Sequence, residues 1–213
     1  MSIKNFNMSN LNLKSLLTEK KKIVFFLSGI GGIGISAIAE ILHSKGFDVI
    51  GSDLNSNSNT IRLGQKAIKV YSQQKASNIS ENNIDFVVKS SAVKDDNPEI
   101  IEARKQNVQV LTRANILSAI LELNKSVIIS GTHGKTTTTS LIGHIAANSM
   151  INASVISGGI MNNYSSNVVI NDSEWIVAEA DESDGCFKEL SSRVSVITNI
   201  EPDIWIIFKR KLI

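Results

Sequence analysis

A glycine-flanked turn followed by a lysine and four threonines is the part of the sequence best suited to chemistry. It lies in Val127–Ser140, which reads VIISGTHGKTTTTS, and a β-branched run precedes the turn. Such a run predicts a buried strand, and a helix is expected to begin after the turn. Backbone N–H groups at a helix N-terminus bind phosphate, and the helix dipole adds partial positive charge. The stretch therefore predicts a phosphate site.

The residue types in this turn favour a nucleoside triphosphate over a dinucleotide. Lys135 can reach the terminal phosphates of ATP, and the Thr136 hydroxyl can coordinate Mg²⁺. The residues expected at the ATP site are Gly131, Thr132, His133, Gly134, Lys135, Thr136 and Thr137. The common pattern G-x-x-x-x-G-K-S/T is not met in full, because Ile129 occupies the position of its first glycine. The alternative is an ordinary strand–turn–helix junction that carries a lysine by chance.

A run of carboxylates is the second chemical feature. Glu179–Asp184 holds four acids in six residues and follows the predicted strand Trp175–Glu179. Carboxylate oxygens at the carboxyl end of a strand suit a Mg²⁺ ion that also contacts nucleotide phosphates. We expect the run to face the phosphate turn; the alternative is an acidic turn exposed to solvent.

A second glycine turn follows the predicted strand Ile23–Ser28. Gly29, Gly31 and Gly34 match G-x-G-x-x-G, and Asp53 follows the next strand. Such a turn lets the backbone approach a diphosphate, and an acid about twenty positions further on reaches a ribose or base. A side chain at Gly31 would then enter the path of the diphosphate. The alternative for Asp53 is a helix N-cap or turn residue.

Strands and helices alternate around both turns. Further strands are expected at Phe47–Gly51, Ile68–Tyr71, Asp85–Lys89, Val108–Leu111, Val127–Ile129, Ala153–Ser157 and Val194–Thr198. Helices are expected at Leu13–Leu17, Ile35–Lys45, Thr60–Lys66, Pro98–Asn107, Ala114–Leu123 and Thr136–Asn148. Gly158–Asn163 is expected to be a loop that can touch a substrate. The alternation predicts an α/β fold with a parallel sheet and right-handed crossovers. Residues 1–22 are expected to be an N-terminal extension. The boundary between two domains is expected at Asn124-Lys125.

Composition limits the classes of function. The chain has 213 residues and a net charge of +2, so a nucleic-acid surface is not indicated. Its one cysteine, Cys186, excludes an internal disulfide framework and suits a reducing compartment, so we expect the cytoplasm and no membrane partner. The uncharged run Ile23–Ala39 follows three lysines and allows a signal-peptide interpretation. Its glycines would weaken a hydrophobic helix, which favours the glycine turn.

Seven blocks, in order along the chain, resemble those of the Mur ligases of peptidoglycan synthesis. They are GIGGIGIS at Gly29–Ser36, GSD at Gly51–Asp53, SSAV at Ser90–Val93, DNPE at Asp96–Glu99, GTHGKTTTTS at Gly131–Ser140, EADESDG at Glu179–Gly185 and TNIEPD at Thr198–Asp203. The resemblance implies a Rossmann-like UDP-sugar domain at 23–124 and a P-loop-type α/β ATPase domain at 125–213. It also implies that ATP phosphorylates the carboxylate of UDP-N-acetylmuramate, and that the amine of L-alanine attacks the acyl phosphate.

The resemblance also implies roles for individual residues. It places the UDP-sugar at Gly29, Gly31, Gly32, Ile33, Gly34, Asp53, Ser91 and Ala92. Lys135 and Glu179 would be catalytic, and Thr136 and Glu179 would hold Mg²⁺. ATP and Mg²⁺ are the implied cofactors.

The end of the sequence departs from the family pattern. Ile204 stands where the family has a metal-site histidine, and residues 203–213 diverge. We therefore expect a truncated chain with an incomplete ATPase domain, no C-terminal domain and no ligase activity of its own. One alternative is a nucleotide-binding fragment without catalysis. Another is an NAD-dependent oxidoreductase, which the second phosphate turn disfavours.

Overall fold

The structure, a computed structural model, describes residues 13–18, 22–180 and 192–201. Several predicted features lie outside the described residues. They are most of the N-terminal extension, the acids Asp181, Glu182 and Asp184, the cysteine Cys186, and Ile204 with its divergent neighbours. Contacts divide the chain into two units, Met1–Ala119 and Ile120–Ile213. This division falls inside a helix, Arg113–Glu122, whereas the sequence suggests a boundary just after that helix.

The described residues of the first unit form a parallel sheet flanked by helices. The strands are β1 (Val24–Ser28), β2 (Asp48–Ser52), β3 (Lys69–Tyr71), β4 (Phe86–Lys89) and β5 (Gln109–Thr112). The helices are α1 (Leu13–Thr18), α2 (Ile33–Ser44), α3 (Ser58–Gln65), α4 (Ser77–Ser80), α5 (Pro98–Lys105) and α6 (Arg113–Glu122). The strand order is β3-β2-β1-β4-β5, with parallel pairing throughout. The predicted parallel α/β fold is confirmed, although the short helix α4 was not predicted.

The central strand β1 is buried on both faces, as expected when helices cover a parallel sheet on both sides. On one face Phe25 packs against Phe47 and Phe86, each with ring centroids 5.5 Å apart. On the other face Phe26 joins a cluster that includes Val87 and Ile100. The strand order reverses between β1 and β4, so the loops after these two strands open a crevice at their carboxyl ends.

The described residues of the second unit form a mixed sheet. Its strands are β6 (Lys125–Ser130), β7 (Ser154–Met161), β8 (Ser166–Val169), β9 (Trp175–Glu179) and β10 (Val194–Ile197), in the order β10-β6-β9-β7-β8. Helix α7 (Lys135–Ala147) follows β6, and a 3₁₀ turn at Asn162–Tyr164 separates β7 from β8. Pairing is parallel except between β7 and β8. No helix among the described residues is both long and apolar enough to cross a membrane.

The prediction of a loop at Gly158–Asn163 is wrong for Gly158–Met161, which belongs to a strand. β7 continues to Met161 and pairs with β8, a strand that the sequence analysis missed. The register between β7 and β8 is irregular between Ile156 and Met161, the stretch that contains Gly158 and Gly159. Glycines inside a strand often mark irregular pairing or the close approach of another group.

Candidate functional site

The glycine turn of the first unit is held against the end of β2. Gly29 has φ +77°, a conformation that glycine adopts at low cost. The N–H groups of Gly29 and Ile30 donate to the carbonyl oxygen of Ser52 at 2.8 and 2.9 Å. Gly32 N–H donates to Gly29 O at 3.1 Å, and α2 begins at the next residue. The turn thus delivers the N-terminus of α2 to the crevice.

Asp53 shapes this turn from the end of β2. Its Oδ2 accepts the N–H of Gly31 at 2.8 Å, and its Oδ1 accepts the N–H of Asn55 at 2.9 Å. A Cβ on Gly31 would lie 2.8 Å from Asp53 Oδ2 and 2.8 Å from Thr60 Cγ2. The carboxylate therefore acts as a turn residue, as the alternative interpretation has it, and still borders the crevice. The N-cap of α3 is Asn57, not Asp53.

A cavity of about 590 Å³ opens where the strand order reverses. Of the predicted residues, its wall contains Gly29, Gly31, Gly32, Asp53 and Ala92. Ser91 is exposed outside that wall, between Ser90 and Ala92, which line the cavity. Further polar residues line the same cavity: Gln74 and Lys94, which were not predicted, and Asp96 and Asn97, which the sequence shows only as part of the DNPE block. The structure thus brings the glycine turn, Asp53 and Ala92 together around one cavity.

Arg113 lies beside the start of α2 and was not predicted as a site residue. A Cβ on Gly34, the second residue of α2, would collide with the Arg113 guanidinium. Gly34 and the exposed Ile33 therefore lie at the helix start rather than in the cavity wall. The available sequence signal was position, because Arg113 directly follows β5 at the carboxyl edge of the sheet.

The phosphate turn of the second unit uses two glycines with positive φ. Gly131 has φ +132°, and a side chain there would collide with Thr198. Gly134 has φ +80° and is the N-cap of α7. Other residue types are strained at such angles, so the two glycines fix the path of the turn. Thr137 lies exposed in the first turn of α7.

Lys135 is folded over this turn. Its Nζ donates to Gly131 O at 2.6 Å and to Thr132 O at 3.1 Å, and the side chain is partly buried. The ammonium group is therefore held against the backbone carbonyls of the turn. A phosphate that binds there would exchange these carbonyl contacts for a charge-assisted hydrogen bond.

Thr136, in the first turn of α7, meets Glu179 at the carboxyl end of β9. The Thr136 hydroxyl donates to Glu179 Oε1 at 3.0 Å, and Gly158 N–H donates to Glu179 Oε2 at 2.7 Å. A Cβ on Gly158 would lie 2.6 Å from Glu179 Oε1, and one on Gly159 would lie 2.9 Å from Thr136 Cγ2. The two glycines therefore make room for the pair. A hydroxyl and a carboxylate are hard oxygen donors, which fit Mg²⁺.

Residues after β10 brace the phosphate turn and were missed as site residues. Thr198 Oγ1 lies 2.6 Å from His133 O and 3.1 Å from Ser130 O. Asn199 Oδ1 accepts His133 N–H at 2.9 Å, and its Nδ2 donates to His133 O at 3.0 Å. Glu201 N–H donates to Thr132 Oγ1 at 3.2 Å. Their signal in the sequence was the TNIEPD block at Thr198–Asp203, but only the pairing of β10 with β6 places these residues beside the turn.

Of the acidic run Glu179–Asp184, the described residues include Glu179 and Ala180. Within residues 13–18, 22–180 and 192–201, no three His, Cys, Asp or Glu side chains gather as a metal site. Among the described residues, Glu179 and Thr136 supply the oxygen atoms of the candidate metal site. That Asp181, Glu182 and Asp184 help to bind the metal stays a prediction.

Comparison with known proteins gives concordant matches. The profile of the Mur ligase family, catalytic domain, matches residues 27–125. The UDP-N-acetylmuramate–L-alanine ligase of Parvibaculum lavamentivorans is 47% identical over 175 residues, 82% of this chain and 35% of the relative. The ligase of the same name from Chelativorans sp. is 44% identical over 181 residues, 85% of this chain and 38% of the relative.

A solved structure agrees with these sequence matches. The crystal structure of UDP-N-acetylmuramate-alanine ligase from Thermotoga maritima superimposes with a TM-score of 0.80 at 33% identity, over 90% of this chain and 44% of that chain. The chain spans 35% and 38% of the length of the two curated relatives. The likeness therefore extends over both units but over only part of each relative.

Proposed function

We infer, because this chain belongs to the Mur ligase family, that its first unit binds UDP-N-acetylmuramate and its second unit binds Mg-ATP. The observation that carries this proposal is that each unit gathers its own glycine turn and acidic residue at the carboxyl ends of its strands. Two independent sites of this kind suit a ligase that uses both a nucleotide sugar and ATP.

The first site is supported by the contents of its cavity. A diphosphate would lie against the glycine turn and the N-terminus of α2, where the helix dipole favours negative charge. The nearby Arg113 would add positive charge, because its guanidinium lies beside Gly34. Asp53 already accepts two backbone N–H groups, and its remaining lone pairs would accept a ribose hydroxyl.

The second site is supported by Lys135, Thr136 and Glu179. The triphosphate would lie over the turn from Gly131 to Lys135, with the ammonium group on the terminal phosphates. The hydroxyl of Thr136 and the carboxylate of Glu179 would hold Mg²⁺, in place of the hydrogen bond that now joins them. When bound, Mg²⁺ supplies positive charge that neutralises the phosphate oxygens.

We propose that the whole protein joins L-alanine to UDP-N-acetylmuramate, the two substrates that the names of its relatives give for those proteins, and that ATP drives the reaction. Phosphoryl transfer depends chiefly on positioning and charge stabilisation. The residues of the phosphate turn provide both, and Thr198 and Asn199 hold the turn in shape. ATP and nucleotide sugars are cytoplasmic, so we propose that compartment for the protein.

The test is a pair of titrations on the purified chain. Calorimetry with UDP-N-acetylmuramate, followed by Mg-ATP added to the saturated sample, should show two ligands bound together at one equivalent each. Displacement of the first ligand by the second would mean one shared site and would contradict the assignment. Binding of ATP that does not respond to Mg²⁺ would contradict the roles of Thr136 and Glu179.

A further inference from the structure

Glu99 is a fully buried carboxylate in the first turn of α5. Its Oε2 accepts the hydroxyl groups of Ser28 and Ser52 at 2.5 and 2.8 Å. Its Oε1 accepts Asn78 Nδ2 at 2.7 Å. A buried carboxylate is costly unless its oxygens are hydrogen-bonded, and here both oxygens have donors.

The two serines lie where the site begins. Ser28 is the last residue of β1 and is followed by Gly29, while Ser52 is the last residue of β2 and is followed by Asp53. The carbonyl oxygen of Ser52 is also the acceptor for the N–H groups of the glycine turn. One carboxylate oxygen thus joins the two strand ends from which the glycine turn and Asp53 leave the sheet.

The same residue is also connected to Asn97 and Gln74, which line the cavity. Glu99 N–H donates to the N-cap side chain of Asn97 at 2.9 Å, and Asn97 Nδ2 donates to Gln74 Oε1 at 2.6 Å. Asn78, the partner of Oε1, also donates to Gln73 O at 2.7 Å. Asn97 and Gln74 line the same cavity as the glycine turn. Glu99 therefore has hydrogen-bonded links both to the strand ends that carry the glycine turn and Asp53 and to the Gln74–Asn97 part of the cavity wall.

We propose that Glu99 is a positioning residue that sets the distance between the glycine turn and the Gln74–Asn97 wall, and so the affinity for the nucleotide sugar. The proposal rests on the proposed function of the first unit. It goes further in assigning ligand affinity to a residue that the ligand does not touch. The physical reason is that the Glu99 carboxylate is hydrogen-bonded to the ends of β1 and β2, while Glu99 itself lies on α5. Loss of these hydrogen bonds would let the glycine turn and the Gln74–Asn97 wall shift independently.

The test compares Glu99→Gln with a matched control, Glu40→Gln. Glu40 is also buried in the first unit, but it pairs with Arg62 and Lys66 at 2.8 and 3.2 Å, where α2 packs against α3. Both substitutions replace a buried carboxylate by an amide of the same shape, so both should lower the melting temperature. Only Glu99→Gln should weaken UDP-N-acetylmuramate binding, by about tenfold, the loss expected from one charged hydrogen bond.

A second readout uses the ligand-free protein. Amide hydrogen exchange at Gly29–Ile33 should accelerate in Glu99→Gln and stay at the parent rate in Glu40→Gln. If Glu99→Gln does not fold, Ser52→Ala removes one donor to the same oxygen and should shift both readouts in the same direction.

Unchanged exchange in the turn, or an equal effect of the two glutamine variants, would overturn the role of Glu99. Failure of the parent to bind UDP-N-acetylmuramate would instead overturn the proposed function. In that case the exchange experiment would still decide whether Glu99 positions the turn.

Discussion

The hydroxyl of Thr136 donates a hydrogen bond to Oε1 of Glu179 across 3.0 Å. This contact joins the first turn of α7 to the end of β9, two elements that are far apart in the sequence. It places a hydroxyl and a carboxylate oxygen together beside the phosphate turn. The pair is the part of the proposed Mg²⁺ site that the described residues contain.

Gly158→Ala should reduce the effect of Mg²⁺ on nucleotide binding. The new Cβ would lie 2.6–2.7 Å from the Glu179 carboxylate and would push it away from Thr136. We expect metal-dependent affinity to fall roughly 10-fold to 100-fold, as for other residues that orient a metal ligand. The measurement is nucleotide affinity at several Mg²⁺ concentrations.

The control for this substitution is Gly143→Ala in the same unit. Its Cβ would lie 2.5 Å from Val155, so it crowds the core without touching Glu179. It should lower the melting temperature and leave the Mg²⁺ dependence as in the parent. Loss of Mg²⁺ dependence in both variants would show that crowding alone explains the result.

Lys135→Ala should weaken nucleotide binding in the second unit. The ammonium group now bonds the carbonyl oxygens of the turn and would transfer to the terminal phosphates. The expected loss is about 1.5–3 kcal/mol, typical of a hydrogen bond to a charged group. Lys125→Ala is the control, because that lysine pairs with Glu174 at the surface and should change nucleotide affinity little. Equal affinities of the two variants would remove Lys135 from the site.

Thr198→Val should loosen the phosphate turn while keeping the shape of the side chain. The hydroxyl can donate to only one of its two neighbouring acceptors at a time, and His133 O at 2.6 Å is the nearer. Its loss should cost about 1 kcal/mol of unfolding free energy and weaken nucleotide binding as well. Urea unfolding and a nucleotide titration check the two effects. A less stable variant with full nucleotide affinity would restrict Thr198 to a structural role.

Gly31→Ala should destabilise the first unit and not merely block its ligand. The sequence suggests that a side chain there would enter the diphosphate path, but the structure directs it toward Asp53 and Thr60. Overpacking of this kind costs about 1–3 kcal/mol. Gly64→Ala on α3 is the control, since its Cβ would meet nothing within 4 Å. A melting temperature unchanged by Gly31→Ala would contradict the packing of this turn.

Local patterns predicted most of the elements, because strands and helices here follow their own hydrophobic periodicity. Trp175–Glu179 was predicted with the bounds that the structure has, and the strand–turn–helix units around both glycine turns were recognised. β8 and the end of β7 were missed, because Gly158 and Gly159 resemble a turn in sequence. Their actual role is to admit Thr136 and Glu179, a constraint that comes from another strand.

The candidate sites were predictable where a residue acts close to its own turn. Gly131, Gly134 and Lys135 form one local motif and were found together. Glu99, Thr198 and Asn199 act on residues that are distant in the chain, so their roles emerge only from sheet order and helix placement. Arg113 was missed for the same reason, because its neighbour Gly34 lies on a different helix.

The most direct measurement of the central claim is calorimetry of the purified chain with UDP-N-acetylmuramate and, separately, with NADH. Both ligands carry a diphosphate that a glycine turn can accept, so the comparison asks which of them the cavity of the first unit recognises. We expect saturable binding of UDP-N-acetylmuramate at one equivalent and no measurable binding of NADH. If the chain binds NADH and does not bind UDP-N-acetylmuramate, the assignment of the first unit is contradicted.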